Sequence, residues 1–191
     1  GAGSSRCGGS GISKACNTDD KGDWNNMQVI FIHHSCFLVE VDEKVLIFDW
    51  FAGDRIKGYT FCGVIPEYEP DTPVYVFASH KHQDHFDMDI LRWSEKYTNV
   101  HYILSKDIRI SPHFLQKHGI DPGVRKKVTF VSANNHYEVD DLKIQTLLST
   151  DAGVAFYVNV RGVSIFHAGD LNDWKMEHVG ELINGKQERT F

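Results

Sequence analysis

Residues 79–85 read Ser-His-Lys-His-Gln-Asp-His, which places His80, His82, Asp84 and His85 at H-x-H-x-D-H spacing. Only 11 of the 191 residues are histidine, so three of them beside a carboxylate in one short run is a poor match to chance. Imidazole nitrogens and carboxylate oxygens together suit a borderline divalent cation, Zn²⁺ first, as one ion or two. In a turning loop the alternate side chains His80 and His82 can converge on one cation while Asp84 and His85 face an adjacent position. Two such sites about 3.5–4 Å apart would act jointly on water and on a scissile bond.

A loop of this kind must be carried by rigid elements. Val74 to Ala78, directly before it, is an unbroken apolar run of strand length, the pattern of a strand buried on both faces. After it, Phe86, Ile90, Trp93 and Tyr97 make one apolar stripe at helical period, which predicts a helix over 86–97. Upstream, Gln28 to Ile32, Phe37 to Val41 and Lys44 to Asp49 read as successive strands, with a hairpin turn at Val41 to Lys44. Downstream, strands are predicted at Val128 to Val131, Tyr137 to Val139, Lys143 to Leu148, Val154 to Val160 and Val163 to His167. A short helix is predicted at Ser111 to His118, capped by Ser111, with Pro112 in its first turn and Gly119 closing it. Strands dominate. Residues 1–26 are rich in Gly, Ser, Asn and Asp and are read as a flexible leader or an added segment outside the fold, leaving 27–191 as one domain.

Four pieces occur in a fixed order: His34-Ser35 before a strand, Leu46-Ile47-Phe48-Asp49 ending another, H-x-H-x-D-H, and His167-Ala168-Gly169-Asp170 after a hairpin. Together they resemble the metallo-β-lactamase superfamily, in particular its branch of small hydrolases and lactonases that includes ascorbate-phosphate lactonase. The resemblance implies an α/β (α+β) fold, a four-layer αββα sandwich with the metal centre at one edge of the sheets. It makes His80 and His82 ligands of a first metal, Asp84 and His85 ligands of a second, and Asp170 the carboxylate bridging them. Asp170 also follows an apolar strand and a glycine, so a helix N-cap is its competing role.

The sequence departs from that pattern twice. Where the family supplies a third first-site histidine, residues 148–153 read Leu-Ser-Thr-Asp-Ala-Gly. Asp151 either replaces the imidazole with a carboxylate or simply closes a turn. Beyond Asp170 the only histidine is His178, either recruited to the second site or leaving it open, and the chain reads as shortened by the last strand and helix. His34 either points to the centre or bonds to backbone, and Asp49 either orients a ligand imidazole from behind or starts a loop. His33 reads as a bystander, and His167 either supports the centre or is packed. Trp50, Phe51 and Trp174 are pocket walls or core.

The expected function is a metal-dependent hydrolase of a small-molecule ester, lactone, amide or phosphoester, using a metal-bound hydroxide, with Asp84 holding or deprotonating the water. The alternative is a degenerate metal-binding domain of the same fold without catalysis. Carboxylate in place of imidazole would widen the choice of metal to Mn²⁺ or Fe²⁺. With 20 Lys and Arg against 26 Asp and Glu the formal charge is −6, which disfavours nucleic acid as a partner. No apolar run reaches the roughly 18–20 residues of a membrane span. Cys7, Cys16, Cys36 and Cys62 form no C-x-x-C pair, and the reading is a reduced, cytoplasmic protein, with a Cys7–Cys16 pair open to it in an oxidising medium.

Overall fold

The computed structural model describes residues 12–13, 27–53, 57, 64–149 and 152–170. Eleven strands lie among them: β1 (Ile12–Ser13), β2 (Met27–His33), β3 (Cys36–Val41), β4 (Lys44–Phe48), β5 (Val74–Ala78), β6 (Val100–Ser105), β7 (Val128–Val131), β8 (His136–Val139), β9 (Leu142–Leu148), β10 (Val154–Val160) and β11 (Val163–His167). β1 to β7 form one sheet in sequence order, antiparallel from β1 to β4 and parallel from β4 to β7. β8 to β11 form a second, antiparallel sheet. Ile12–Ser13 adds a two-residue strand on the β2 edge, within the segment read as a leader.

The parallel half explains the uninterrupted apolar runs. Along β4 and β5 successive side chains alternate between two cores: Val45, Ile47, Val74, Val76 and Ala78 face the helices, while Leu46, Phe48, Tyr75 and Phe77 face the second sheet. The second sheet answers with Ile144, Val154, Phe156, Val158 and Val160. Each such fully buried side chain contributes about 1.5–3 kcal/mol of transfer free energy, so the inter-sheet layer is what joins the two halves of the chain.

Three further elements differ from expectation. The helix after the histidine loop is a 3₁₀ helix over Met88–Glu95 rather than an α-helix over 86–97. The reason lies in its carbonyls: the Tyr102 hydroxyl donates to Ile90 O (2.7 Å) and the Ser94 hydroxyl to Leu91 O (2.9 Å), so acceptors of the α-ladder are engaged from the side. Asp87 starts it, one carboxylate oxygen accepting from Asp89 N and the other from Ala52 N, each at 3.0 Å. The interior strand β6 is absent from the sequence-based expectations, because His101 splits its short apolar run while the register with β5 and β7 is set by tertiary pairing. A second 3₁₀ helix, Pro122–Lys127, was likewise not expected. α1 (Pro112–Lys117) forms where predicted, with the Ser111 hydroxyl accepting from Phe114 N at 3.1 Å. No helix among the described residues is long and apolar enough to cross a membrane.

Candidate metal centre

β5 ends at Ala78 and the chain turns at once. His85 N and Phe86 N both donate to His82 O, at 3.0 and 2.9 Å, so residues 82–86 curl into a tight turn and the rings of His80 and His85 come to 4.1 Å between centroids. Lys81 N bonds to an Asp107 carboxylate oxygen at 3.1 Å, and Val154 N at the start of β10 donates to Ser79 O at 2.9 Å. The loop is therefore tied to both sheets.

Beneath it sits Asp49, the residue after β4, fully buried and with φ of 50°. Its Oδ1 accepts from Ser79 N (2.7 Å), and its Oδ2 accepts from Ser79 Oγ (2.7 Å), His85 Nδ1 (2.8 Å) and His167 Nε2 (2.9 Å). Burial alone would push this carboxyl up, but the charges and hydrogen bonds of His167 and His85 outweigh it and hold Asp49 well below the usual carboxylate range. An ionised Asp49 only accepts, so it fixes Nδ1–H on His85. Burial also pulls His85 down, yet the bond to Asp49 and the charges of Asp49, Asp170 and Asp84 leave its pKa raised. For His80 burial dominates, joined by the neighbouring His85, and its pKa is lowered.

The consequence is that the remaining nitrogens, His80 Nε2 and His85 Nε2, are buried and make no hydrogen bond in the protein. Both face one carboxylate: Asp170 Oδ2 lies 3.4 Å from His80 Nε2 and Asp170 Oδ1 lies 3.0 Å from His85 Nε2. On the other side of His85, Asp84 Oδ2 lies 3.8 Å from its Nε2 and 3.2 Å from His34 Nε2. Two overlapping donor groups result, His80–His85–Asp170 and His34–Asp84–His85, each with ligand atoms within 4.8 Å of one another. Bare ring nitrogens facing carboxylate oxygens invite a cation between them, and the donor set is that of zinc or a neighbouring transition metal.

The residues singled out in the sequence are distributed as follows. His80, His85, Asp84 and Asp170 converge. His34, whose φ is 48°, joins the donors directly rather than standing behind them. His82 is exposed and lies outside both groups, its ring edge-on to His80 at 4.5 Å. Asp151, Trp174 and His178 lie outside the described residues. His33 is buried, its Nε2 bonded to Phe51 O at 3.0 Å and its ring stacked on Phe51, which makes it part of the packing. His167 supports Asp49. The role that sequence reasoning missed is that of Ser79, a hydroxyl directly before the first histidine and hydrogen-bonded to the buried carboxylate.

A face-to-face pair of sheets with histidines and carboxylates gathered at the strand ends defines a metal-site sandwich. The chain belongs to the metallo-β-lactamase superfamily: residues 28–183 match the family described as the beta-lactamase superfamily domain. Among relatives, it is 26% identical over 167 residues to a UPF0173 metal-dependent hydrolase of Korarchaeum cryptofilum (strain OPF8), covering 82% of this chain and 66% of that protein. The chain thus spans slightly less than two thirds of that relative. Among solved structures, CmlA, a diiron beta-hydroxylase from Streptomyces venezuelae, superposes with a TM-score of 0.53 at 13% identity, over 81% of this chain and 31% of that one. A metallo-beta-lactamase from Cronobacter sakazakii gives a TM-score of 0.49 at 12% identity, over 85% and 70%.

Proposed function

We propose that this chain carries the metal centre of a metal-dependent hydrolase acting on a small-molecule ester, lactone, amide or phosphoester. The observation that carries the reading is the pair of buried, hydrogen-bond-free Nε2 atoms of His80 and His85 facing Asp170. The name of the archaeal relative points the same way. His80, His85 and Asp170 would hold one cation, while His34 and Asp84 form a neighbouring position that the single lone pair of His85 Nε2 could join only in place of the first. His82, exposed beside His80, belongs to the set implied by the resemblance, and Asp151 is the carboxylate that would stand in for the family's third first-site histidine. Zn²⁺ is the expected ion, with Mn²⁺ or Fe²⁺ the alternatives. Bound there, it supplies Lewis acidity and makes water acidic enough to be a nucleophile near neutral pH.

The protein's own groups do the rest. Asp84, partly exposed beside His34, positions the attacking water and takes up its proton. Asp170 holds the two imidazoles against a common charge, and Asp49 keeps their orientation from behind. A pocket of about 440 Å³ adjoins the centre, lined by His34, Phe37, Phe48, Phe166, His167 and Gly169 among others, with no Lys, Arg, Asp or Glu among its described residues. It suits an uncharged, apolar part of the substrate.

Elemental analysis of purified protein tests the reading. Wild type should carry zinc, His85→Ala should lose it because that ring serves both donor groups, and equal metal in the two would overturn the assignment. Turnover of a simple lactone or of bis-nitrophenyl phosphate, abolished in Asp84→Asn, separates an enzyme from a non-catalytic domain: metal binding without turnover of any such substrate would favour the latter.

A further inference from the structure

Ser79 is buried and makes four hydrogen bonds to three residues. Its amide donates to Asp49 Oδ1 and its hydroxyl lies 2.7 Å from Asp49 Oδ2 and 2.9 Å from His80 Nδ1. Its carbonyl accepts from Val154 N. Two glycines in the left-handed region close around it: a Cβ at Gly153 (φ +79°) would fall 1.9 Å from Ser79 O, and one at Gly169 (φ +58°) would fall 2.9 Å from Ser79 Cβ and Oγ. Both positions therefore exclude any side chain, and backbone from the loop before β10 and from the turn after β11 closes on this one residue.

The hydrogen-bond arithmetic around the hydroxyl has a single solution. Asp49 is surrounded by donors, a backbone amide on Oδ1 and two ring nitrogens beside the hydroxyl on Oδ2, so it acts as the acceptor and its Oδ2 contact with Ser79 Oγ uses the only hydroxyl proton. Ser79 Oγ is then an acceptor toward His80, and the proton of that second bond must sit on His80 Nδ1. The lone pair of His80 is left on Nε2, the atom that faces Asp170. Asp49 imposes the same tautomer on His85 directly, and on His80 only through Ser79.

We propose that Ser79 is the positioning residue that relays Asp49 to His80, fixing His80 as the Nδ1–H tautomer with Nε2 presented to the cation. The inference rests on the metal-centre reading above and extends it to a residue behind the donors. Removing a partner of this kind weakens metal binding about 10–100-fold.

Nitrogen-15 NMR of the histidine rings in metal-free protein in mildly alkaline buffer reads the tautomer directly and requires no variant. His80 should be Nδ1–H; a wild-type Nε2–H ring overturns the proposal. Ser79→Ala keeps the backbone bond to Asp49, and should move His80 toward Nε2–H while leaving His85 Nδ1–H and weakening zinc, measured by competition with a chromophoric chelator, about 10–100-fold. Ser79→Cys, close in size but a poorer hydrogen-bonding group, should fall between. Wild type and Ser79→Ala binding zinc equally, or Ser79→Ala retaining Nδ1–H on His80, would sink the role of Ser79 alone. Wild type binding no zinc at all would sink the metal centre with it.

Discussion

Asp49 is the residue on which the centre's geometry converges, because one carboxylate receives four donors from three residues in two parts of the chain. Asp49→Asn keeps the shape but turns one acceptor into a donor aimed at other donors. The expected result is a cation affinity lower by about 10–100-fold and a stability loss of about 1–3 kcal/mol from buried groups left unmatched, read by chelator competition and by urea unfolding. The pH dependence has a definite sign. A carboxyl whose pKa is depressed in the folded state contributes stability that is present above its unfolded value, about 3.9, and is lost as pH falls through the folded one. Wild type should therefore lose urea resistance on acidification below about pH 4 more steeply than Asp49→Asn. Protons and cation compete for the same ring nitrogens, so zinc affinity should fall steadily as pH is lowered in both proteins.

Among the elements, the 3₁₀ helix Met88–Glu95 shows most clearly that packing chose the conformation. Its apolar stripe has α-helical spacing, yet Ile90 and Leu91, adjacent in sequence, are both buried and their carbonyls are engaged by Tyr102 and Ser94. Tyr102→Phe removes one hydroxyl without changing the core's shape. It should cost about 1 kcal/mol in urea unfolding and raise amide exchange in residues 90–97, whereas unchanged exchange there would show that the Tyr102 bond does not hold the tighter helix. The same element starts at Asp87, whose second oxygen holds Ala52 in the chain beyond Asp49, so the helix and the loop beneath the centre share one anchor.

For the whole molecule, the sheets are held together by an apolar layer and, at one end, by charge. Phe48, Phe77 and Phe156 form a continuous aromatic contact across the layer, with Phe48–Phe77 at 4.6 Å and Phe77–Phe156 at 5.2 Å, and Phe48 also lies 5.0 Å from His167. Opposed to this, Arg161 pairs with Asp42 and Asp141 at 3.2 Å each, joining hairpin turns of the two sheets, but its side chain is 53% exposed. Burial decides which matters more. Phe156→Ala should destabilise by about 3–5 kcal/mol and loosen zinc by displacing His167 from Asp49, while Arg161→Ala should cost no more than about 1 kcal/mol. Comparable losses in thermal unfolding for the two variants would contradict this ranking.

The local chemistry was legible in the sequence because it is local: the donor types in H-x-H-x-D-H, the strand runs Val74–Ala78, Val128–Val131, Val154–Val160 and Val163–His167, and the Ser111-Pro112 helix start all declare themselves within a few residues. Period and composition carry that information without reference to the rest of the chain. Which donors meet was settled by contacts across many residues. His34 reaches Asp84 and His167 reaches Asp49 from positions 50 and 118 residues away, and Ser79 acquires its role from a carboxylate 30 residues upstream. Strand β6 needed its parallel neighbours for the same reason: a hydrogen-bond ladder or a shared carboxylate is a property of two segments at once, and neither segment's own sequence specifies the distance between them.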